Sequence, residues 1–116
     1  MEAIPLQHSI EVVVSASEDL HRGKVTLNSR VFENAEQSNY PFSLEVSLTG
    51  YFSTTEIMTR EELGRFCEIN GTAALFPFLR SAIADVTKAA NFQPLLLPLM
   101  NIHNLVEQSK LADESQ

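Results

Sequence analysis

The run Asn91 to Met100, NFQPLLLPLM, constrains this chain more than any other segment. Each of its prolines removes a backbone donor and locks φ, so the run can be neither a regular helix nor a central strand. Yet it carries Phe92, Leu95, Leu96, Leu97, Leu99 and Met100. An apolar ribbon without regular structure either lids the core between its neighbouring elements or leaves a groove partly open to water. Contiguous exposed apolar surface beyond about a few hundred Å² marks a binding site. The residues of the ribbon by themselves leave both readings open.

What precedes the ribbon is ordered strands first, helices after. Three segments alternate with period 2, the mark of a half-buried strand. Ile10, Val12, Val14 and Ala16 share one face of the first. Val25, Leu27, Ser29 and Val31 share one face of the second, more loosely. Phe42, Leu44, Val46 and Leu48 oppose Ser43, Glu45, Ser47 and Thr49 in the third, which is the cleanest. Ser17 to Gly23 reads as a connection and Glu33 to Asn39 as a polar turn. Short connections favour an antiparallel meander with one wet face.

From Thr59 the period changes. Thr59 with Glu62 fits a capping box, and Leu63, Phe66 and Cys67 follow at helical spacing, so a short helix is expected over about Arg60 to Glu68. Asn70-Gly71 should break or bend it. A second helical stretch spans about Thr72 to Ala90, with Leu75, Leu79, Ile83 and Val86 on one stripe and a kink or restart expected at Pro77. The two pieces read as one interrupted helix over about 60–90. After the ribbon, Ile102, Leu105 and Val106 support a last amphipathic helix over about 101–111, before a polar end. The expected class is α+β in a single domain of 116 residues: an antiparallel sheet of three to four strands followed by two helices packed on one face. Three strands are marginal for a stable sheet. A fourth strand from elsewhere, or a sheet continued across a subunit boundary, is expected, which argues for a homo-oligomer.

Composition removes several functions. The longest apolar stretch, Ala73 to Leu79, is seven residues with Pro77 inside it, against roughly 20 for a bilayer-spanning helix, so no membrane insertion is expected. No basic-then-apolar leader is visible at the start, and one cysteine, Cys67, cannot form an internal disulfide. Both features point to a reducing, cytoplasmic setting. Eight Lys and Arg against fifteen Asp and Glu give a formal charge of −7, and no cationic cluster exists to replace phosphate counterions, so nucleic acid is not an expected partner.

Catalytic signatures are missing as well. There is no GxxxxGK[ST], GxGxxG, GxSxG or HExxH motif. His8, His21 and His103 are scattered and make no zinc spacing with Cys67. Asp19 and His21 read as polar residues of a connection, and Cys67, on the apolar stripe of a helix, as an inert buried thiol. No catalytic residue, metal or cofactor is expected.

The run FPFLRSAIADVTKAANFQPLLLPLMNIHNL, Phe76 to Leu105, resembles the SecB family of protein-export chaperones. The matching residues are Phe76-Pro77 followed by Arg80 and Ile83, then Phe92, Pro94-Leu95, Leu97-Pro98, and Asn101 before an apolar helix. Upstream, FSLEVSLTGYFS (Phe42 to Ser53) is similar to the family's third strand running into its crossover loop, and the likeness covers about 9–107. It implies an ATP-independent holdase that binds unfolded preproteins and delivers them to the export ATPase SecA. The implied fold has four antiparallel strands and two helices, in chains that assemble as a dimer or a dimer of dimers.

On that likeness, client segments would lie along a groove lined by Phe76, Phe78, Phe92, Leu95, Leu97, Leu99, Ile102 and Leu105, with Tyr51 and Phe52 from the crossover loop. Glu45 aligns with a glutamate of the family's SecA-facing sheet surface, and alternation puts it on the wet face. Ala73 to Lys88 is the implied assembly helix, with Leu75, Leu79, Ile83 and Val86 serving the oligomer interface or the protomer core. Against the family pattern, the sequence is expected to have no strand before Ile10 and no long C-terminal tail. A SecB-like chaperone outside general export, such as one guarding an antitoxin, is the nearest alternative. A non-chaperone α+β oligomeric binding module and a hot-dog-like acyl-binding enzyme are the readings from other classes.

Overall fold

The three alternating segments pair in chain order, β1 (His8–Ala16), β2 (Arg22–Val31) and β3 (Leu44–Ser53), as an antiparallel meander β1-β2-β3. A computed structural model of the chain describes residues 6–114. Register is set by alternation: Val12 opposes Leu27 and Leu27 opposes Leu48, so the apolar rows coincide. A slip of one residue would turn each row to water. The central strand is sealed first, with Val25, Leu27 and Val31 fully buried while the inward residues of β1 and β3 stay half-buried.

The strands run longer than alternation alone suggested. β3 begins at Leu44, leaving Phe42 outside it, and continues through Gly50, Tyr51 and Phe52 to Ser53. Tyr51 and Phe52 therefore do not lie in a crossover loop; they pair with Lys24 and Gly23 of β2. The polar turn after β2 contains one turn of helix, α1 (Ala35–Ser38), set between two left-handed asparagines, Asn34 and Asn39. Among the described residues the sheet has three strands.

One helix crosses the inner face without a break. α2 (Arg60–Phe66) starts at the expected capping box: Thr59 Oγ1 accepts from the Glu62 N–H at 3.1 Å, and Glu62 Oε1 accepts from the Thr59 N–H at 3.0 Å. It passes through a π turn, Cys67–Gly71, directly into α3 (Thr72–Ala89). Asn70-Gly71 neither breaks nor ends the helix, and Pro77 lies inside α3 without a restart. The widened turn and its glycine serve contact. A Cβ at Gly71 would sit 2.7 Å from Val25 Cγ2, and one at Gly50 would sit 2.8 Å from Leu75 Cδ2. At Gly23 it would overlap Cys67 Sγ. Glycine at these three positions lets the helix backbone approach β2 and β3 closely.

α4 (Ile102–Glu114) packs against β1, where Ser109 Oγ accepts the Val12 N–H at 2.9 Å. The core is the layer between sheet and helices: Leu63, Cys67, Leu75, Phe76, Leu79, Ile83, Leu97 and Leu105 meet Val25, Leu27 and Val31. Leu75, Leu79 and Ile83, expected to serve the oligomer interface or the protomer core, are buried in the interior of the protomer. Val86 alone of that stripe is exposed. No helix among the described residues is long and apolar enough to cross a membrane.

Candidate functional site

The apolar ribbon between α3 and α4 is extended and is held by side chains of α3. Asn91, with φ of 70°, terminates the helix, and the Phe92 N–H returns to the Thr87 carbonyl at 3.0 Å. Thr87 Oγ1 donates to the Ile83 carbonyl at 2.9 Å and accepts the Leu95 N–H at 2.9 Å. Two residues on, Arg80 Nε donates to the Leu97 carbonyl at 2.7 Å. Backbone groups that the prolines keep out of any ladder are satisfied in this way, as buried polar groups must be.

Pinning at Leu95 and Leu97 sorts the ribbon's side chains. Leu97 points into the core and is 0% exposed, while Leu96 and Leu99 are 65% and 82% exposed. Leu95, Met100 and Ile102 are half-buried against the core. Phe78 projects outward from α3 at 68% exposure. Phe76 and Leu105 are buried with Leu97. The ten residues expected to line one groove therefore divide, and three of them, Phe76, Leu97 and Leu105, are interior within the protomer.

Tyr51 and Phe52 part company for a similar reason. Successive strand residues face opposite ways, so Phe52 lies on the helix side and Tyr51 on the outer side, 79% exposed. Phe92 belongs to a different neighbourhood, stacking on Phe42 with ring centroids 4.7 Å apart. Phe42 meets Phe32 edge-on at 5.3 Å, and Phe32 meets Tyr40 at 4.7 Å. Sequence reasoning missed this aromatic chain and missed Leu96 as exposed surface. Three aromatic residues flanking one polar turn, Phe32, Tyr40 and Phe42, were the available signal.

The sheet's outer face is polar and internally bonded. Asn28 Nδ2 donates to Glu11 Oε1 at 2.9 Å, Ser47 Oγ donates to Asn28 Oδ1 at 2.7 Å, and the hydroxyls of Thr26 and Thr49 lie 2.8 Å apart. Glu45 stands exposed on this face opposite Arg30, at a loose 4.0 Å. Two sites near the helix and connection carry shifted acidity. Hydrogen bonds from the Ser17 hydroxyl first, then the His21 N–H, hold the Asp19 carboxyl below its usual range. Burial pushes the Cys67 thiol up. Among the described residues no group of three or more His, Cys, Asp or Glu is placed to hold a metal ion.

The model of the family described as "Preprotein translocase subunit SecB" matches residues 5–113. The chain belongs to the SecB family. A protein-export protein SecB of Anaplasma phagocytophilum is 36% identical over 69 residues, 58% of this chain and 44% of that protein. The SecB of Acidithiobacillus ferrooxidans is 30% identical over 92 residues, 79% of this chain and 60% of that one. An uncharacterized protein of Methanocaldococcus jannaschii is 32% identical over 74 residues, 64% of this chain and 47% of its own length. The chain spans about half the length of the curated relatives it matches. Among solved structures, a SecB-like chaperone of Mycobacterium tuberculosis in complex with a ChAD peptide from an antitoxin shares the fold. Its TM-score is 0.66 at 19% identity, covering 87% of this chain and 75% of that one. The architecture is that of a SecB-like chaperone.

Proposed function

We propose that this SecB-family chain is an ATP-independent holdase whose client surface is the outer side of the proline ribbon. The observation that carries the reading is the pairing of exposed Leu96 and Leu99 with a backbone held by Arg80 and Thr87. A loose apolar loop would collapse onto the core; a fixed one keeps two leucines in water. With Phe78, Phe92 and half-buried Leu95 and Ile102 they offer adaptable apolar contacts suited to many unfolded sequences. Phe52, half-buried on the helix side of β3, is assigned to packing, and Tyr51 to the opposite face. Covering one such side chain contributes roughly 1.5–3 kcal/mol before costs, and ordering the client offsets much of it. Linked copies in an oligomer would add avidity.

Delivery to SecA, with Glu45 as one contact, belongs to the same reading and is supported by the exposure of Glu45 on the face away from the ribbon. A chaperone serving one partner outside general export is the second reading. It is favoured by the likeness in fold to a SecB-like chaperone holding an antitoxin peptide.

The test is nucleotide-free suppression of client aggregation, followed by light scattering. Leu96→Asp with Leu99→Asp is expected to abolish suppression while circular dichroism stays unchanged. Suppression equal to the parent protein's by the folded double variant would overturn the reading. SecA added to the client complex separates the two destinations: release to SecA supports export, and retention supports the narrower role.

A further inference from the structure

Arg80 holds the ribbon with one of its nitrogens and leaves the others free. Its Nε donates to the Leu97 carbonyl at 2.7 Å, the one hydrogen bond that Arg80 makes among the described residues. Arg30, Arg65 and Lys110 each meet a carboxylate, whereas no carboxylate of the described residues pairs with Arg80. The buried polar side-chain atoms without a partner are His8 Nδ1, Ser29 Oγ and Thr72 Oγ1. The Nη groups of half-buried Arg80 are not among them and therefore reach water. A guanidinium is planar, with its N–H donors in a fixed fork, so a bonded Nε sets the Nη donors beside the Leu97 carbonyl. That carbonyl falls between the exposed Leu96 and Leu99, whose Cα atoms are about 10 Å apart in extended backbone.

An extended polypeptide that covers both leucines passes over this fork. Covering a cation strips water from it, which is unfavourable unless an acceptor replaces the water. The acceptor that every polypeptide brings is its main-chain carbonyl, and an extended strand presents one to the same side about every 7 Å. We propose that the free Nη donors of Arg80 hydrogen-bond a main-chain carbonyl of the client, so that one residue both fixes the ribbon and reads the client's backbone. This role rests on the client reading of the ribbon and adds what leucines cannot supply. The contact is directional and charge-assisted, yet indifferent to client side chains. It also favours unfolded clients over folded ones, whose carbonyls are already engaged in their own helices and sheets.

Arg80→citrulline tests it in the full chain, with Cys67 as the ligation junction for assembly. Citrulline keeps the Nε–H and the planar shape but loses the charge and exchanges one Nη for oxygen. The probe is a short peptide of leucine, phenylalanine and serine blocked at both ends, so that it carries no carboxylate. Its calorimetric Kd is expected to rise about tenfold, with exchange of the Leu95 amide unchanged. A thioamide at one main-chain position of the peptide, a weaker acceptor, is expected to cost the parent several-fold in affinity and the citrulline chain nothing. In the parent, the Arg80 Nη proton resonances are expected to shift when the peptide binds, which carries the test if the citrulline chain misfolds. Unmoved resonances, or peptide binding that Leu96→Asp with Leu99→Asp abolishes and citrulline leaves intact, would overturn the backbone contact and spare the client reading. A parent that binds no peptide would overturn both. A loss seen only with peptides given an aspartate would assign the fork to client carboxylates and overturn it as well.

Discussion

Arg80 Nε donates to the carbonyl oxygen of Leu97 at 2.7 Å, seventeen residues along the chain, and so fixes the middle of a segment that has no regular structure. Thr87, about two turns further along α3, fixes Leu95 by accepting its N–H at 2.9 Å. The proposed client surface and the core are opposite sides of this one pinned strand of backbone.

Removing a pin should loosen the ribbon without unfolding the sheet. Arg80→Ala strands a part-buried carbonyl and should cost about 1.5–3 kcal/mol, as hydrogen bonds to charged groups do. Thr87→Val orphans the Leu95 N–H and should cost about 1–3 kcal/mol. Urea unfolding gives the energies, and exchange of the Leu95 amide locates the loss. Unchanged Leu95 protection in Thr87→Val would contradict the arrangement.

The leucines of the ribbon should separate into two classes. Leu97→Ala opens a cavity in the core and should cost about 2–5 kcal/mol. Leu99→Ala and Leu96→Ala remove exposed side chains and should change stability by less than about 0.5 kcal/mol. Thermal denaturation distinguishes them; equal costs at Leu97 and Leu99 would mean that the ribbon faces the other way.

Glycines on one continuous helix should respond with opposite sign. Nothing lies within 4 Å of a Cβ at Gly64, so Gly64→Ala should stabilise by about 0.5–1 kcal/mol through helix propensity. Gly71→Ala drives a methyl into Val25 and should destabilise by about 1–3 kcal/mol, as overpacked cores do. Paired chemical denaturation curves measure both signs.

The capping box should appear in the acid limb of stability. The Thr59 N–H first, and its hydroxyl second, hold the Glu62 carboxyl below its usual value of 4.5. A lowered folded pKa means that the unfolded chain takes up the proton first. The contribution is therefore complete above about pH 4.5 and is lost as pH falls through the folded value. Glu62→Gln should lower Tm near pH 7 and shallow its decline below pH 4.5. Asp19, shifted in the same direction, leaves part of that decline in place. A slope identical to the parent's would exclude the box as a contributor.

The three alternating strands, the inward face of each, the capping box and the helical stripe were legible in the residues because each is local. Period 2 and period 3.6 are properties of neighbouring positions, and Thr59 meets Glu62 within one turn. The irregularity of the ribbon was equally legible, since proline forbids a ladder wherever it stands. What its leucines face was not. That depends on Arg80 and Thr87, which reach the ribbon only after α3 has docked on the sheet, and no spacing rule connects residue 80 to a carbonyl at 97. The stripe of Leu75, Leu79 and Ile83 shows the same limit: periodicity says that one face is apolar, and only packing says against what. Gly71 is the sharpest case. A glycine after asparagine is expected to break or bend a helix by local preference, whereas here the helix continues through a π turn in which Gly71 approaches Val25. Local chemistry determined which elements this chain makes; the distances between them decided which apolar side chains became interior and which were left in water.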